Sequence, residues 1–446
     1  MIESTDGAET LSADIAVVGG GLAGLATAIN LADRGQSVLC LEPRTWPRPA
    51  VGESLEFSAP RLLATLGIDV EAGEPKGYLF PKTSVQINST DESFDVWPPA
   101  WFAKPPIWCS RLAFHSDRIE LDQQILGLAV ELGVRILPQR VISVEHRNDE
   151  ITGLTTDRGA RITAKWYVDA TGHETRLFGR TMNLDRTELG RPGIAYWARF
   201  DEPPLGHSTN LYMPRPDADQ LAWIWEIPLN PSQTSVGVVL PSVEAATCRT
   251  RGELPRDIFC HHIEAVPSLR RLALGAADVP ISSTAFTPYR HRRCNGPNWL
   301  LVGDAAAMVD PLTSNGVTAA LRHADQGARL ITESLERRPF RRCRAWTFDA
   351  TCPATVATLD EAIDAFLYRP GIRQPLGLRP AVMLYAATGV VTNSVYARLN
   401  PITLPRAVAV ATFLAACRVW IRAASAALPH LATFRRRRIG RRRVGG

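Results

Sequence analysis

The sequence predicts an α/β fold: a Rossmann-like nucleotide-binding domain, discontinuous along the chain, with an inserted α+β domain and a helical C-terminal region. Three observations carry this expectation. A strand, a glycine turn, a helix and a second strand follow one another at residues 14–42. Two later apolar runs, at 166–172 and 298–304, end in glycine-bearing turns. The stretch between those two runs is richer in Trp, Tyr and Pro.

The first segment reads DIAVVGGGLAGLATAINLADRGQSVLCLE. Ile15 to Val18 is an unbroken apolar run, the pattern of a parallel strand buried on both faces. Gly19-Gly20-Gly21-Leu22-Ala23-Gly24 fits GxGxxG, and Leu25, Ala28, Ile29 and Ala32 then recur at helical spacing up to Gly35. Gly19 suits the tight turn, Gly21 the approach of a pyrophosphate, and Gly24 the close packing of helix on strand. Leu22 and Ala23 head a helix whose N-terminus faces the phosphates. A second strand, Ser37 to Leu41, ends in Glu42, eighteen residues after Gly24. Its carboxylate can accept hydrogen bonds from a ribose and repels a 2′-phosphate.

Composition bounds the remainder. A chain of 446 residues makes roughly three domain-sized units, or two with one of them large, and 45% apolar with 21% charged residues excludes disorder as the main organisation. Eight cysteines without a CxxC pair point to a reducing compartment and a cytoplasmic protein. His261-His262 after Cys260 lacks a third ligand at sensible spacing, so no metal site is expected. The net charge of +5 includes seven arginines at 435–438 and 441–443; without them the chain carries −2. A body so nearly neutral is not expected to bind nucleic acid. The arginine-rich tail, 435–446, reads as a solvated, disordered end that could also touch anionic lipid or an acidic partner.

Two further segments narrow the nucleotide. Trp166 to Gly172 reads WYVDATG, and Asn298 to Gly316 reads NWLLVGDAAAMVDPLTSNG. With the GxGxxG unit they resemble the FAD-binding fold of the p-hydroxybenzoate hydroxylase and glutathione reductase kind, over about residues 12–335. The resemblance implies FAD, with Asp304 of the Gly303-Asp304 pair on its ribityl chain. It also implies an FAD domain in three pieces, 12–85, 110–185 and 285–340. A substrate domain would take 86–109 and 186–284, and helices 341–434. Arg118, in HSDRIELDQQIL, begins a helix of the FAD domain and is either a cofactor ligand or a surface arginine. After Asp310-Pro311 a second helix begins at Gly316 and Val317, where its positive end would face the flavin.

Within the substrate segment, Trp223-Ile224-Trp225-Glu226-Ile227-Pro228 matches WxWxIP, a signature of flavin-dependent halogenases of the tryptophan-halogenase family. Alternate residues of a strand share a face, so Trp223 and Trp225 would make a flat, dry wall, with Pro228 ending the strand. A packed core strand is the competing account. Met308 to Gly316 is similar to the family's FxxPxxSxG, with Met308 in the aromatic position, and maps halide binding to Asn315 and Gly316. The catalytic lysine implied by the resemblance is Lys82: Gly52-Glu53-Ser54, Leu66-Gly67 and Lys82-Thr83-Ser84-Val85-Gln86-Ile87 follow the family's order. The chain has only four lysines, at 76, 82, 104 and 165, and a guanidinium holds its proton too tightly to serve. Lys76 is the alternative, and a plain surface lysine remains open.

The resemblance also has a gap. Indole-type members carry a Glu where this chain has Thr313, which points to phenol- or pyrrole-like substrates; Glu53 and Glu226 are candidate replacements. The implied reaction is oxidative halogenation with reduced FAD, O2 and halide. Hypohalous acid is then directed by Lys82 onto a small, electron-rich aromatic, free or carrier-protein-bound. With a single GxGxxG, reducing power is expected from a separate NAD(P)H-flavin reductase. An FAD-dependent monooxygenase, a double-bond reductase of the geranylgeranyl reductase type and a non-enzymatic FAD-binding relic stay open beside it. The region 340–434, with prolines at 353, 370, 375, 380, 401, 405 and 429, reads as several short helices over the substrate cavity. No uninterrupted apolar run is long enough to span a bilayer; the nearest, Ala407 to Cys417, stops at Arg418.

Overall fold

The computed structural model describes residues 10–46, 48–98, 100–105, 111–276, 279–336, 341–400 and 403–443; residues 106–109 of the expected substrate segment and 444–446 of the tail lie outside these. The strand Thr10–Val18 runs parallel between Val38–Leu41 and Arg161–Asp169 at the middle of a seven-stranded sheet. Arg135–Leu137 adds in parallel beyond Val38–Leu41, and Trp299–Leu301 pairs in parallel with the end of Arg161–Asp169. Two antiparallel strands, Glu150–Thr156 and Val141–Arg147, complete it. Ile15, Ala16 and Val17 are fully buried in a core that the sheet shares with the helices Leu22–Ala32, Arg118–Glu131 and Gly316–Leu335. The four parallel strands nearest the glycine turn end at Val18, Leu41, Asp169 and Leu301, so the residues that follow them share the carboxyl edge where open α/β sheets bind ligands.

A second seven-stranded sheet takes Ser282–Phe286, Gly193–Phe200, Gln233–Pro241, Trp223–Asn230, Thr209–Met213, Val85–Ser89 and Ser93–Val96, in that order. Its alternating side chains serve two cores. Ile194, Tyr196, Ile224, Val236 and Val238 face the helices Ser242–Thr250 and Pro255–Glu264. Trp197, Trp223, Trp225, Ile227 and Val239 face the other way, toward Met308, Leu312, Leu367 and Tyr368. Gly237 pairs with Trp225 in register, and a Cβ there would lie 2.1 Å from the indole, so glycine makes room for the ring. Pro228 does not end its strand. Trp223–Asn230 continues past it, and a register shift between Pro228 and Asn230 accommodates the missing N–H at the hairpin end.

The C-terminal region also departs from expectation. Instead of several short helices it forms two long ones, Arg341–Ile363 and Leu378–Leu399, a π-helical turn at Asp364–Tyr368, a short helix Pro370–Leu376, and a 40-residue helix Leu404–Arg443. Pro353 lies inside the first of these; packing against neighbouring helices outweighs the lost hydrogen bond. The last helix runs through the arginine positions to Arg443, where the sequence suggested a disordered end. It also continues past Arg418: its segment Leu404–Leu428 is long and apolar enough to cross a membrane.

Candidate active site

The glycine turn is built as close approach requires. Gly19 has φ +104°, and a Cβ on it would lie 2.4 Å from the Ala170 carbonyl oxygen. A Cβ on Gly24 would lie 1.8 Å from the Gly19 carbonyl oxygen, so the helix Leu22–Ala32 packs on its own entry turn. Gly21, the N-cap, has open space where its Cβ would be, and no side chain caps the helix. The first-turn N–H groups of Leu22 and Ala23 therefore point at an anion-accepting opening.

Glu42 ends its strand beside this turn and is buried. It accepts hydrogen bonds from Gly20 N at 2.9 Å and from Arg44 N and Nε at 3.0 Å, with Arg48 at 3.3 Å. Burial alone would raise its carboxyl. The Arg44 hydrogen bonds and the Arg48 charge outweigh that and hold it at about 2. Gly303, at φ +57°, packs against Ala23, where a Cβ would come within 2.6 Å of the alanine methyl. This contact joins the two glycine motifs across about 280 residues of chain and sets Asp304, its side chain 40% exposed to the cleft, next to the nucleotide turn. Open space over Gly21, the Glu42 carboxylate beside the turn and the partly exposed Asp304 side chain fit a dinucleotide.

Beyond Asp304 the loop Asp310–Asn315 leads into the helix Gly316–Leu335. Ser314 is left-handed at φ 54°, and the N-terminus carries no side-chain cap. The Asn315 side chain is turned inward, donating to the Thr313 carbonyl at 2.7 Å and accepting from Asn393 at 2.9 Å. What Asn315, Gly316 and Val317 present to the cleft is therefore backbone. Arg118 is buried against the same corner. It makes a bidentate pair with Asp122 at 2.9 and 3.0 Å and donates to the Val51 carbonyl, and Gly52 lies between it and Val317. It is thus no surface arginine; it joins the 52–54 turn to the second helix N-terminus.

Of the four lysines, Lys82 is buried, while Lys76 and Lys104 are exposed and Lys165 pairs with Asp14. Lys82 Nζ donates to Ser54 Oγ at 2.8 Å and to the Leu55 carbonyl at 3.2 Å. Ser54 Oγ lies 2.9 Å from Thr209 Oγ1, which lies 2.8 Å from His115 Nε2. Burial pushes the Lys82 ammonium down to about 8, with the charge of Glu56 opposing in part. His115 is driven well below the usual histidine range by burial and by the charge of Lys82. Neither proposed replacement carboxylate serves the lysine: Glu53 pairs with Arg199 at 3.0 Å, and Glu226 accepts from Tyr212, Asn210 and Arg271. Glu56 is the carboxylate whose field reaches Lys82, and it also accepts from Ser58 and from Thr318, two residues into the second helix. Glu53 of the same GESLEF segment is the candidate that the sequence offers, and no spacing marks Glu56, three residues on.

Trp223 and Trp225 share a face as expected, but the wall is not flat. Their ring centroids are 5.8 Å apart and the planes tilt by 45°, with Trp225 Nε1 donating to Ser235 Oγ at 3.2 Å. Against this face stands a buried acidic pair absent from the sequence reading. Asp360 Oδ1 accepts from Asp310 N at 2.8 Å, and the Tyr368 hydroxyl donates to Asp310 Oδ1 at 3.2 Å. Burial raises Asp310 to about 6 and Asp360 well above the carboxylate range. The signal that would have found Asp360 is only its position on a helix 50 residues away.

Comparison with known proteins bears on this geometry. The tryptophan halogenase family model matches residues 103–368, more than half of the chain. The chain belongs to this family. A model of FAD-dependent oxidoreductases matches residues 14–60, and this halogenase-family enzyme is an FAD-dependent oxidoreductase. It is 28% identical over 360 residues to a 1H-pyrrole-2-carbonyl-[peptidyl-carrier protein] brominase of Pseudoalteromonas luteoviolacea (strain 2ta16), covering 76% of this chain and 83% of that one. It is 26% identical over 402 residues to the flavin-dependent halogenase armH3 of Armillaria mellea, covering 84% and 77%. Among solved structures, the flavin-dependent brominase Bmp2 superposes with a TM-score of 0.68 at 22% identity, over 85% of this chain and 94% of that one. PqsL of Pseudomonas aeruginosa, described as a probable FAD-dependent monooxygenase, superposes with 0.63 at 17% identity over 81% and 98%. At these identities the structural likenesses show the fold alone, and both chemistries occur on it.

Proposed function

We propose that this enzyme halogenates a pyrrole-like aromatic presented on a carrier protein, through hypohalous acid received by Lys82. The observation that carries the reading is the state of the Lys82 amine: buried, bonded to Ser54 Oγ, and lowered to about 8. FAD, when bound and reduced, supplies the oxygen activation that converts halide to hypohalous acid. The backbone at Asn315 and Gly316, at the positive end of an uncapped helix, suits the halide. Neutral Lys82 then holds hypohalous acid by a hydrogen bond, or its nitrogen takes the halogen while hydroxide leaves and carries off the amine proton as water. The aromatic carbon next takes the halogen and loses its own proton, which restores the amine. Ser54 and Thr209 connect that amine to neutral His115, a buried route by which the ammonium sheds its proton before the halogen arrives. The tilted Trp223 and Trp225 rings are read as an apolar wall of the substrate cavity. The likeness to relatives named for pyrrole-2-carbonyl carriers supports the substrate class. A separate flavin reductase would supply reducing power.

The test supplies FAD, an independent NAD(P)H-flavin reductase, bromide or chloride, and pyrrole-2-carbonyl on its carrier protein, with products read by mass. Lys82→Ala is expected to lower halogenated product by about a thousandfold with FAD absorbance unchanged, and Lys82→Arg to do the same. Retained halogenation in Lys82→Ala would overturn the relay. A second reading, monooxygenase chemistry with a structural lysine, is favoured by the two hydrogen bonds that tie Lys82 to the 54–55 turn and by its 7% exposure. Its signature is an oxygenated product indifferent to halide.

A further inference from the structure

The helix Leu404–Arg443 has a surface that the halogenation reading does not use, and the inference from it is independent of that reading. Its inner face is committed to the protein. Ala407, Val410, Leu414 and Ile421 are buried against the preceding helices, and Arg418 and Arg422 both grip Glu361 at 2.5 Å. Its outer face is apolar and bare: Leu404, Val408, Val419 and Trp420 are 42, 44, 66 and 47% exposed. The other exposed positions of Leu404–Leu428 are six alanines, at 409, 415, 416, 423, 426 and 427, with Pro405, Arg406, Thr412 and Arg422. At about 1.5 Å per residue the segment Leu404–Leu428 is roughly 37 Å long.

Charge supplies the second observation. No Asp or Glu occurs after Asp364, while the remaining 82 residues carry fourteen arginines, seven of them at 435–443. The helix backbone is continuous from the apolar face into that run. A stripe of apolar side chains with an interfacial-type Trp, followed by a block of one positive sign, matches an anionic bilayer surface. It does not match a second copy of this chain, whose arginines would repel these ones.

We propose that this helix docks the enzyme in the plane of an anionic membrane, apolar face toward the acyl chains and arginines among the headgroups. A transbilayer placement would strip Ile421 and Leu414 from their core and bury Arg418 and Arg422 away from Glu361. The helix therefore lies on the bilayer and does not cross it.

The test floats the FAD-loaded full chain with vesicles of equimolar phosphatidylcholine and phosphatidylglycerol, and with pure phosphatidylcholine. Binding to the anionic vesicles is expected to be tighter by about tenfold or more, and high salt should weaken it without abolishing it. Val408→Asp with Val419→Asp should lower it by about tenfold. Replacing the seven arginines at 435–443 by Gln, which leaves the packed face intact, should remove the preference for phosphatidylglycerol. Equal binding to both vesicles, or none to either, overturns the proposal. So does undiminished binding by the doubly substituted variant, which would leave only the arginines as the contact. A concentration-dependent dimer that Val419→Asp breaks, with no vesicle binding, would assign the face to a second copy and overturn it as well. Binding to an acidic carrier protein but to neither vesicle would do the same.

Discussion

The two ends of the cofactor cleft handle charge in opposite ways. At the nucleotide end Glu42 is buried yet ionised, because Gly20, Arg44 and Arg48 stabilise its carboxylate and hold it at about 2. At the end proposed for the reaction, Lys82, Asp310 and Asp360 are buried without direct counter-ions, so Lys82 falls to about 8 and Asp310 rises to about 6. A binding site gains from fixed charge, whereas groups that exchange protons near neutral pH need charge left partly uncompensated. The same burial thus fixes charge at one end and, on the proposed reading, leaves groups able to exchange protons at the other.

The comparison can be broken most severely at the nucleotide end. Gly24→Val would drive its side chain into the Gly19 carbonyl oxygen, 1.8 Å from an ideal Cβ. A cost of about 3 kcal/mol is expected, with loss of FAD on gel filtration and a lower melting temperature; retained FAD would mean that the turn can widen.

Next in size is the pH response of the reaction end. If neutral Lys82 receives the halogen, halogenation at saturating FAD should rise about fivefold from pH 7 to 8 and level off above pH 9, following a midpoint of about 8. The lysine is depressed in the folded state, so the unfolded chain binds its proton more tightly. Its contribution to stability therefore improves as pH rises from about 8 to 10.5. A flat rate profile from pH 7 to 9 would remove the amine from the chemistry.

Glu42→Gln should lower FAD affinity by about tenfold, read by fluorescence titration. The Glu42 carboxyl is depressed, so its stabilisation is present above pH 4.5 and fades as pH falls toward 2. The Gln variant should lose that part of the acid-unfolding slope. The smallest effect is expected at Asp360. Asp310 and Asp360 are raised carboxyls, so their favourable protonated state is lost as pH rises through about 4 to 6 for Asp310. Asp360→Asn keeps an oxygen for Asp310 N and should gain about 1 kcal/mol over the parent at pH 8 but not at pH 4, measured by urea unfolding. Equal curves at both pH values would show that the pair is relieved by its surroundings.

What could be read in advance followed the range of the interactions. The strand–turn–helix unit, Glu42 and the Gly303-Asp304 turn are local. Gly24 answers a steric demand from Gly19, five residues away, and Gly19 one from Ala170 at the end of the neighbouring strand; Gly303 is legible from its own left-handed backbone, although the methyl that it meets belongs to Ala23. The face shared by Trp223 and Trp225 followed from the two-residue period of a strand in the same way. Their tilt did not, because it depends on Gly237 and Ser235 across the hairpin.

Long-range partners decided the rest. The sequence by itself determined the α/β class, the FAD-binding motifs and the rarity of lysine. Only the tertiary structure decided that Lys82 is the buried lysine, that Glu53 and Glu226 are taken by Arg199, Tyr212 and Asn210, and that Glu56 is the carboxylate acting on it. It also decided that Asp360 backs Asp310, and that prolines lie within long helices whose outer surface is bare. The physical reason is common to all of these. Burial and the field at an ionisable group are sums over neighbours from distant segments, and no spacing along the chain encodes which of them arrive.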